Sequence, residues 1–232
     1  MSMIHTPKVT HLPAIYLSTY PPTLFVLTLI THGRSVLLMN TPEIVPTADN
    51  VRTVMALCEP RHIEEGLSWY REALALAAEL DPINPSQAVG VLAALSPLTS
   101  WPLNVRRARE VYATGTTGGL PANVAKAERI FRGETATDVL GGAKVTAFYA
   151  NIMGDDSKVT IDRHAIDVAC GRPMTDAERA IAIRGKAGYN RLADIYREVA
   201  VEFGYTASQT QAIVWVWWRE NRALANHGRV TK

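Results

Sequence analysis

The chain has 232 residues, 47% of them hydrophobic and 20% charged, with a formal net charge of +2. This is the make-up of an ordinary globular protein, long enough for one sizeable core or two small interleaved subdomains. Its two cysteines, Cys58 and Cys170, stand far apart with no C-x-x-C pattern, and its six histidines are scattered; a disulfide framework, a four-cysteine iron–sulfur cluster and a metal-ligand motif are thereby excluded, and a reducing cytoplasm fits.

Residues 1–48 carry Pro7, Pro13, Pro21, Pro22, Pro42 and Pro46 around two apolar patches, Leu24–Ile30 and Val36–Met39. Neither patch reaches the ~18 residues that a membrane span needs, and neither has the flanks of a signal peptide. They are read as an N-terminal extension, poorly ordered or variably used, with Met39 as an alternative start. Residues 49–232 are read as the helical domain. Ile63, Leu67, Tyr70, Leu74 and Ala77 recur at helical spacing until Asp81-Pro82 ends the run. Ser86 is the expected cap of a helix carrying Val89, Leu92 and Leu95, stopped by Pro97. Pro102 and Pro121 suit first turns. Thr175–Glu178 and Ser208–Gln211 read as capping boxes, and Tyr189–Phe203 as an amphipathic helix closed by Gly204. With no long alternating stretch after Thr47, the fold class is all-α, roughly ten helices on short loops.

Charge is uneven along the chain. Residues 1–100 hold five Lys/Arg against eight Asp/Glu, whereas residues 101–232 hold nineteen against fourteen. The basic half permits a nucleic-acid face. It contains Leu140-Gly141-Gly142-Ala143-Lys144, a glycine turn opening a helix, and Val159-Thr160-Ile161-Asp162-Arg163-His164, where Asp162 opens another. Lys144 and Asp162 are 18 residues apart. Backbone N–H groups at such a turn point toward an anion such as phosphate. A lysine in the first turn is out of place there unless an anion is near, and aspartate is a preferred N-cap.

This order and spacing resemble the helix-hairpin-helix DNA glycosylases of the endonuclease III type, over roughly residues 86–172. The resemblance implies two interleaved helical subdomains flanking a cleft, and cleavage of the N-glycosidic bond of a flipped damaged or modified base. It implies Asp162 as the catalytic carboxylate, Lys144 as the nucleophile of a lyase step, and Gly141, Gly142 and Ala143 as the phosphate-gripping turn. Here that turn is shortened, since Leu140 is followed directly by two glycines without the family's proline. Arg163 stands where a threonine is common and can reach a phosphate. Leu95-Ser96-Pro97-Leu98-Thr99-Ser100-Trp101 with Asn104 matches the segment that carries a glutamine wedge; Pro97-Leu98 stand in its place, and Trp101 is a candidate for base stacking. Arg106, Arg107 and Arg109 follow on the next helix. Trp215 and Trp218 share one face of the last helix, so at least one is expected in the core, and Trp217 is a lesser stacking candidate. This tryptophan-rich end suits a divergent, phage-type branch without an iron–sulfur cluster. The implied partner is duplex DNA, with no cofactor, no membrane and a monomeric, cytoplasmic protein. Two alternatives share these residues: a phage base-hypermodification enzyme of the same fold, and an inactive DNA-binding or host-interaction protein.

Overall fold

A computed structural model describes residues 26–31, 34–39 and 44–225. The chain divides into two compact units at Ile44/Val45. In the first, β1 (Val26–Thr31) pairs antiparallel with β2 (Arg34–Met39), in register from Val26↔Met39 to Thr31↔Arg34. These strands fall on the two apolar patches, whose β-branched and leucine content suits a strand. Of the proposed extension 1–48, residues 1–25, 32–33 and 40–43 lie outside the described residues, whereas Thr47 caps the first helix and Ala48 begins it, so the helical unit starts ahead of residue 49.

From Val45 onward the described residues are all-α. The helices are α1 (Ala48–Leu57), α2 (Pro60–Leu80), α3 (Pro85–Leu95), α4 (Trp101–Thr114), α5 (Pro121–Phe131), α6 (Ala136–Val139), α7 (Ala143–Ile152), α8 (Arg163–Ala169), α9 (Asp176–Ala182), α10 (Gly185–Phe203) and α11 (Ala207–Ala225). Their ends follow local chemistry. Asp81 closes α2, and Pro102 and Pro121 sit in the first turns of α4 and α5. Gly115 and Gly204 close α4 and α10 with φ of 84° and 74°, a region open to glycine without a steric penalty. Thr175 and Glu178 form a capping box. Two caps lie two residues earlier than expected. Asn84, not Ser86, caps α3, because its carboxamide oxygen reaches Gln87 N while Ser86 Oγ donates to that same oxygen at 2.7 Å. At the start of α11, Thr206 and Gln209 exchange the capping bonds, and Ser208 instead donates to Asp156 Oδ1 at 2.5 Å.

The helices form two groups that interleave along the chain. In the first, α3 is apolar all round, buried from Ala88 to Leu95, and is wrapped by α2, α4, α5, α6 and α7; such a helix has no face to give to water. In the second, α1, α8, α10 and α11 bury Val51, Val54, Val168, Tyr196, Val199, Ile213 and Trp218. The long α2 joins the groups by packing along α11. At Gly66 the two backbones approach so closely that a Cβ would stand 2.5 Å from Ile213 Cα. Within the second group, Asp167 on α8 is fully buried and takes both forks of the Arg179 guanidinium, Nε at 2.8 Å and Nη2 at 2.9 Å, as well as Met174 N at 3.1 Å. Among the described residues no helix is long and apolar enough to cross a membrane.

Candidate functional site

Between the two helix groups lies a cavity of about 510 Å³. One wall comes from α2 (Trp69, Tyr70), the segment Ser96–Asn104 and the first turns of α7 (Lys144, Phe148); the other comes from Thr160–His164 and from α11 (Gln211, Trp215, Arg219). Lys144 and Asp162, singled out by the resemblance of their motifs and spacing, therefore face one space from opposite sides.

Each is placed by its helix start. Gly142, with φ of 84° and ψ of 133°, turns the chain from α6 into α7, and its carbonyl accepts from Val145 N and Thr146 N. Lys144 is then the second helical residue. Its Nζ donates to Ser96 Oγ at 3.2 Å and lies 5.5 Å from the Phe148 ring centroid. Burial pulls its pKa down from the ordinary lysine value, and the Asp162 charge pulls it partly back up. Asp162 caps α8: Oδ1 accepts from Ala165 N at 2.8 Å and Oδ2 from the Trp215 indole Nε1 at 3.1 Å. Capping thus fixes the carboxylate at the cavity. Tyr189 on α10 ties the two starts together. Its hydroxyl donates to Val159 O at 2.7 Å, stands 3.2 Å from Ala143 O, and accepts from Ile161 N at 3.3 Å.

The walls are aromatic. Trp69 lies 4.5 Å from Trp215 and 5.6 Å from Trp101, centroid to centroid, and Trp101 meets Phe148 edge-on at 6.5 Å. The Arg219 guanidinium covers the Trp215 ring at 4.3 Å. Tyr70 donates to Gln211 Oε1 at 2.6 Å at the back. At the rim Leu98 is 88% exposed with φ of 57°. It is the one non-glycine residue with positive φ among those described, a conformation that costs roughly 1–2 kcal/mol for an L side chain. Its turn is locked: Thr99 N donates to Ser96 O at 3.3 Å, Thr99 Oγ1 to Pro97 O at 3.2 Å, and Arg107 Nη1 to Thr99 Oγ1 at 3.2 Å.

Of the other expected residues, Trp101 and the exposed Arg163 line the cavity. So does Asn104, which is buried rather than presented on the surface. Gly141, Gly142 and Ala143 are exposed, and the last two open onto a neighbouring groove of about 820 Å³ with Lys158, Lys186 and Arg197. Trp218 fills the core and Trp217 is buried too, so the cavity tryptophan of α11 is Trp215. Trp69, Tyr189, Trp215 and Arg219 did not stand out as site residues in the sequence. The signal for Trp215 was its place one turn from Trp218; Trp69 and Tyr189 carried none beyond a helical face.

Fold and site together define an all-α unit from Val45 onward, with an aromatic cavity lined by both a half-buried lysine and a capped aspartate. Residues 39–222 match the model of a family of unknown function, DUF7178, and the chain belongs to that family. Comparison with curated proteins and with solved structures gives no match.

Proposed function

We propose that this protein is a DNA N-glycosylase of the helix-hairpin-helix type, acting on a damaged or modified base turned out of the duplex. One observation carries the reading: Lys144 and Asp162, each at a helix start, line the same aromatic-walled cavity. A flipped base is held by stacking, and aromatic walls suit it. In the proposed reaction the N-glycosidic bond breaks with its electron pair leaving on the base. The Asp162 carboxylate faces the positive charge that develops at the sugar. Water then bonds to C1′ and gives up a proton, leaving an abasic site and the free base. Where the Lys144 amine attacks C1′ instead, it loses its own proton and ring opening gives a Schiff base; desolvation, which favours the neutral amine, supports that step. The exposed turn at Gly141 and Gly142, with Lys158, Lys186 and Arg197 nearby, suits contact with backbone phosphates. Leu98, apolar and held outward at the rim, suits the gap left in the stack.

A base-hypermodification enzyme of the same fold is the second reading. It is favoured by the three tryptophans around a cavity roomy enough for a substituted base.

Borohydride trapping tests the first reading. The protein is incubated with duplexes holding uracil, an oxidised base, 5-hydroxymethyluracil or an abasic site, beside Lys144→Ala and Asp162→Asn. An adduct lost in Lys144→Ala establishes the lyase step. Alkali-sensitive product without an adduct, lost in Asp162→Asn, establishes simple hydrolysis. Neither product on any duplex overturns the reading for these bases.

A further inference from the structure

We propose that Asn104 selects what enters the cavity, its carboxamide oxygen accepting the ring N–H of an imide-type base such as uracil or thymine. The proposal rests on the reading that the cavity receives an extruded base. Asn104 lies on the first turn of α4 and is 2% exposed. Its Nδ2 donates to Leu92 O at 3.0 Å. A carbonyl can only accept, so the amide nitrogen must face Leu92 and the orientation of the carboxamide is settled. Oδ1 is then left buried without a partner in a residue that lines the cavity. A buried acceptor of this kind costs about 1–3 kcal/mol when unmet, a cost that a ligand's donor removes.

Several neighbouring polar atoms of the wall have partners of their own. Both Asp162 oxygens are taken by Ala165 N and Trp215 Nε1, Gln211 Oε1 by Tyr70, and the Arg179 fork by Asp167. Ser96 Oγ accepts from Lys144, which leaves the serine hydroxyl hydrogen and the remaining ammonium hydrogens as donors on the same wall. On this assignment a group entering here reaches Oδ1, enclosed in this structure, as an acceptor beside donors and flat aromatic faces. An imide edge has the complementary order, carbonyl, N–H, carbonyl. The corresponding ring nitrogen of adenine or cytosine is itself an acceptor and would stand against Asn104 Oδ1 with two lone pairs opposed.

Free bases supply the test, because Trp69, Trp101 and Trp215 line the cavity and report occupancy by fluorescence quenching. 1-Methyluracil, 1,3-dimethyluracil, 1-methylcytosine and 9-methyladenine, each blocked at the nitrogen that bears the sugar in DNA, are titrated into the full chain. 1-Methyluracil is expected to quench, with the other three weaker by about tenfold or more, and with the preference gone in Asn104→Leu. Equal quenching by 1-methyluracil and 1,3-dimethyluracil, or none by 1-methyluracil, overturns the proposal; this arm uses the unaltered protein and so does not depend on a variant folding. The two readings fail separately. A uracil preference with neither a trapped adduct nor an alkali-sensitive product leaves the Asn104 assignment standing and removes the glycosylase for these bases, whereas either product without N–H dependence does the reverse.

Discussion

The indole N–H of Trp215 donates to Asp162 Oδ2 at 3.1 Å across 53 residues of chain. The bond joins the last helix to the cap of α8, and Arg219 lies over the same ring. Trp215 is thus a positioning residue: it aims the carboxylate that its own helix start holds by the other oxygen. Trp215→Phe keeps an aromatic wall and removes the donor. If Asp162 acts on the sugar, the single-turnover rate falls about 10- to 100-fold while KM changes little. Equal losses in Trp215→Phe and Trp215→Ala, arising wholly in KM, would assign the ring to substrate stacking alone.

Lys144 carries a pH dependence whose sign follows from its burial. Its folded pKa is lowered, while the unfolded chain keeps the ordinary lysine value of about 10.4. Between the two the unfolded state binds more protons, so stability rises as pH climbs through that window. Below the folded value both states are charged and the full desolvation cost is present. Lys144→Met is therefore expected to melt at or above the wild-type temperature at neutral pH. The difference should shrink toward pH 10.5, as followed by paired thermal melts. A gap that widens with pH would contradict it.

Tyr189 links the start of α7 to the segment ahead of Asp162 through one hydroxyl. Tyr189→Phe leaves Val159 O and Ile161 N without that partner. A cost of about 1–3 kcal/mol is expected, or some 2–4 °C in Tm for each kcal/mol at this chain length. Hydrogen exchange should show the loss at Ile161, with the caps of α9 and α10 unaffected.

Leu98 holds a left-handed conformation while fully presented to solvent. Leu98→Gly relieves strain but frees the unfolded chain, so Tm is expected to stay level or rise by a few degrees. If the side chain fills the gap in the stack, Leu98→Ala should lose most of the 2-aminopurine fluorescence rise that accompanies base extrusion. Thermal melts and 2-aminopurine traces are taken on both variants beside the wild type, and a Tm drop in Leu98→Gly would show that the leucine packs.

Asp167 is wholly buried against Arg179. Asp167→Ala strands the guanidinium and takes a partner from Met174 N. A loss of about 3–5 kcal/mol is expected by chemical denaturation, larger than for Asp176→Ala, whose carboxylate meets the same arginine from solvent. Equal losses would show that the buried charge is stabilised by other groups.

Local chemistry was readable in the amino-acid order. Asp162 as a cap, the box at Thr175, the first-turn prolines and the closing glycine at 204 act within four residues of themselves, and their positions set most helix ends. Where two capping residues competed within three positions, as at Asn84 and Ser86, the order alone could not decide. The outcome turned on which oxygen reached Gln87 N. The spacing of Lys144 and Asp162 likewise pointed to a shared site through resemblance. What no local pattern carried is the wall around them. A helical stripe of apolar residues states that a face will be buried, without stating against what. Trp69, Trp215, Tyr189 and Gln211 became cavity residues only when α2 and α11 closed on one another at Gly66 and Ile213 and α10 reached back to the start of α7. Those contacts join positions far apart in the chain. Tertiary packing chose them because burying the apolar faces of α2 and α11 against each other is favourable only in this arrangement of the whole bundle.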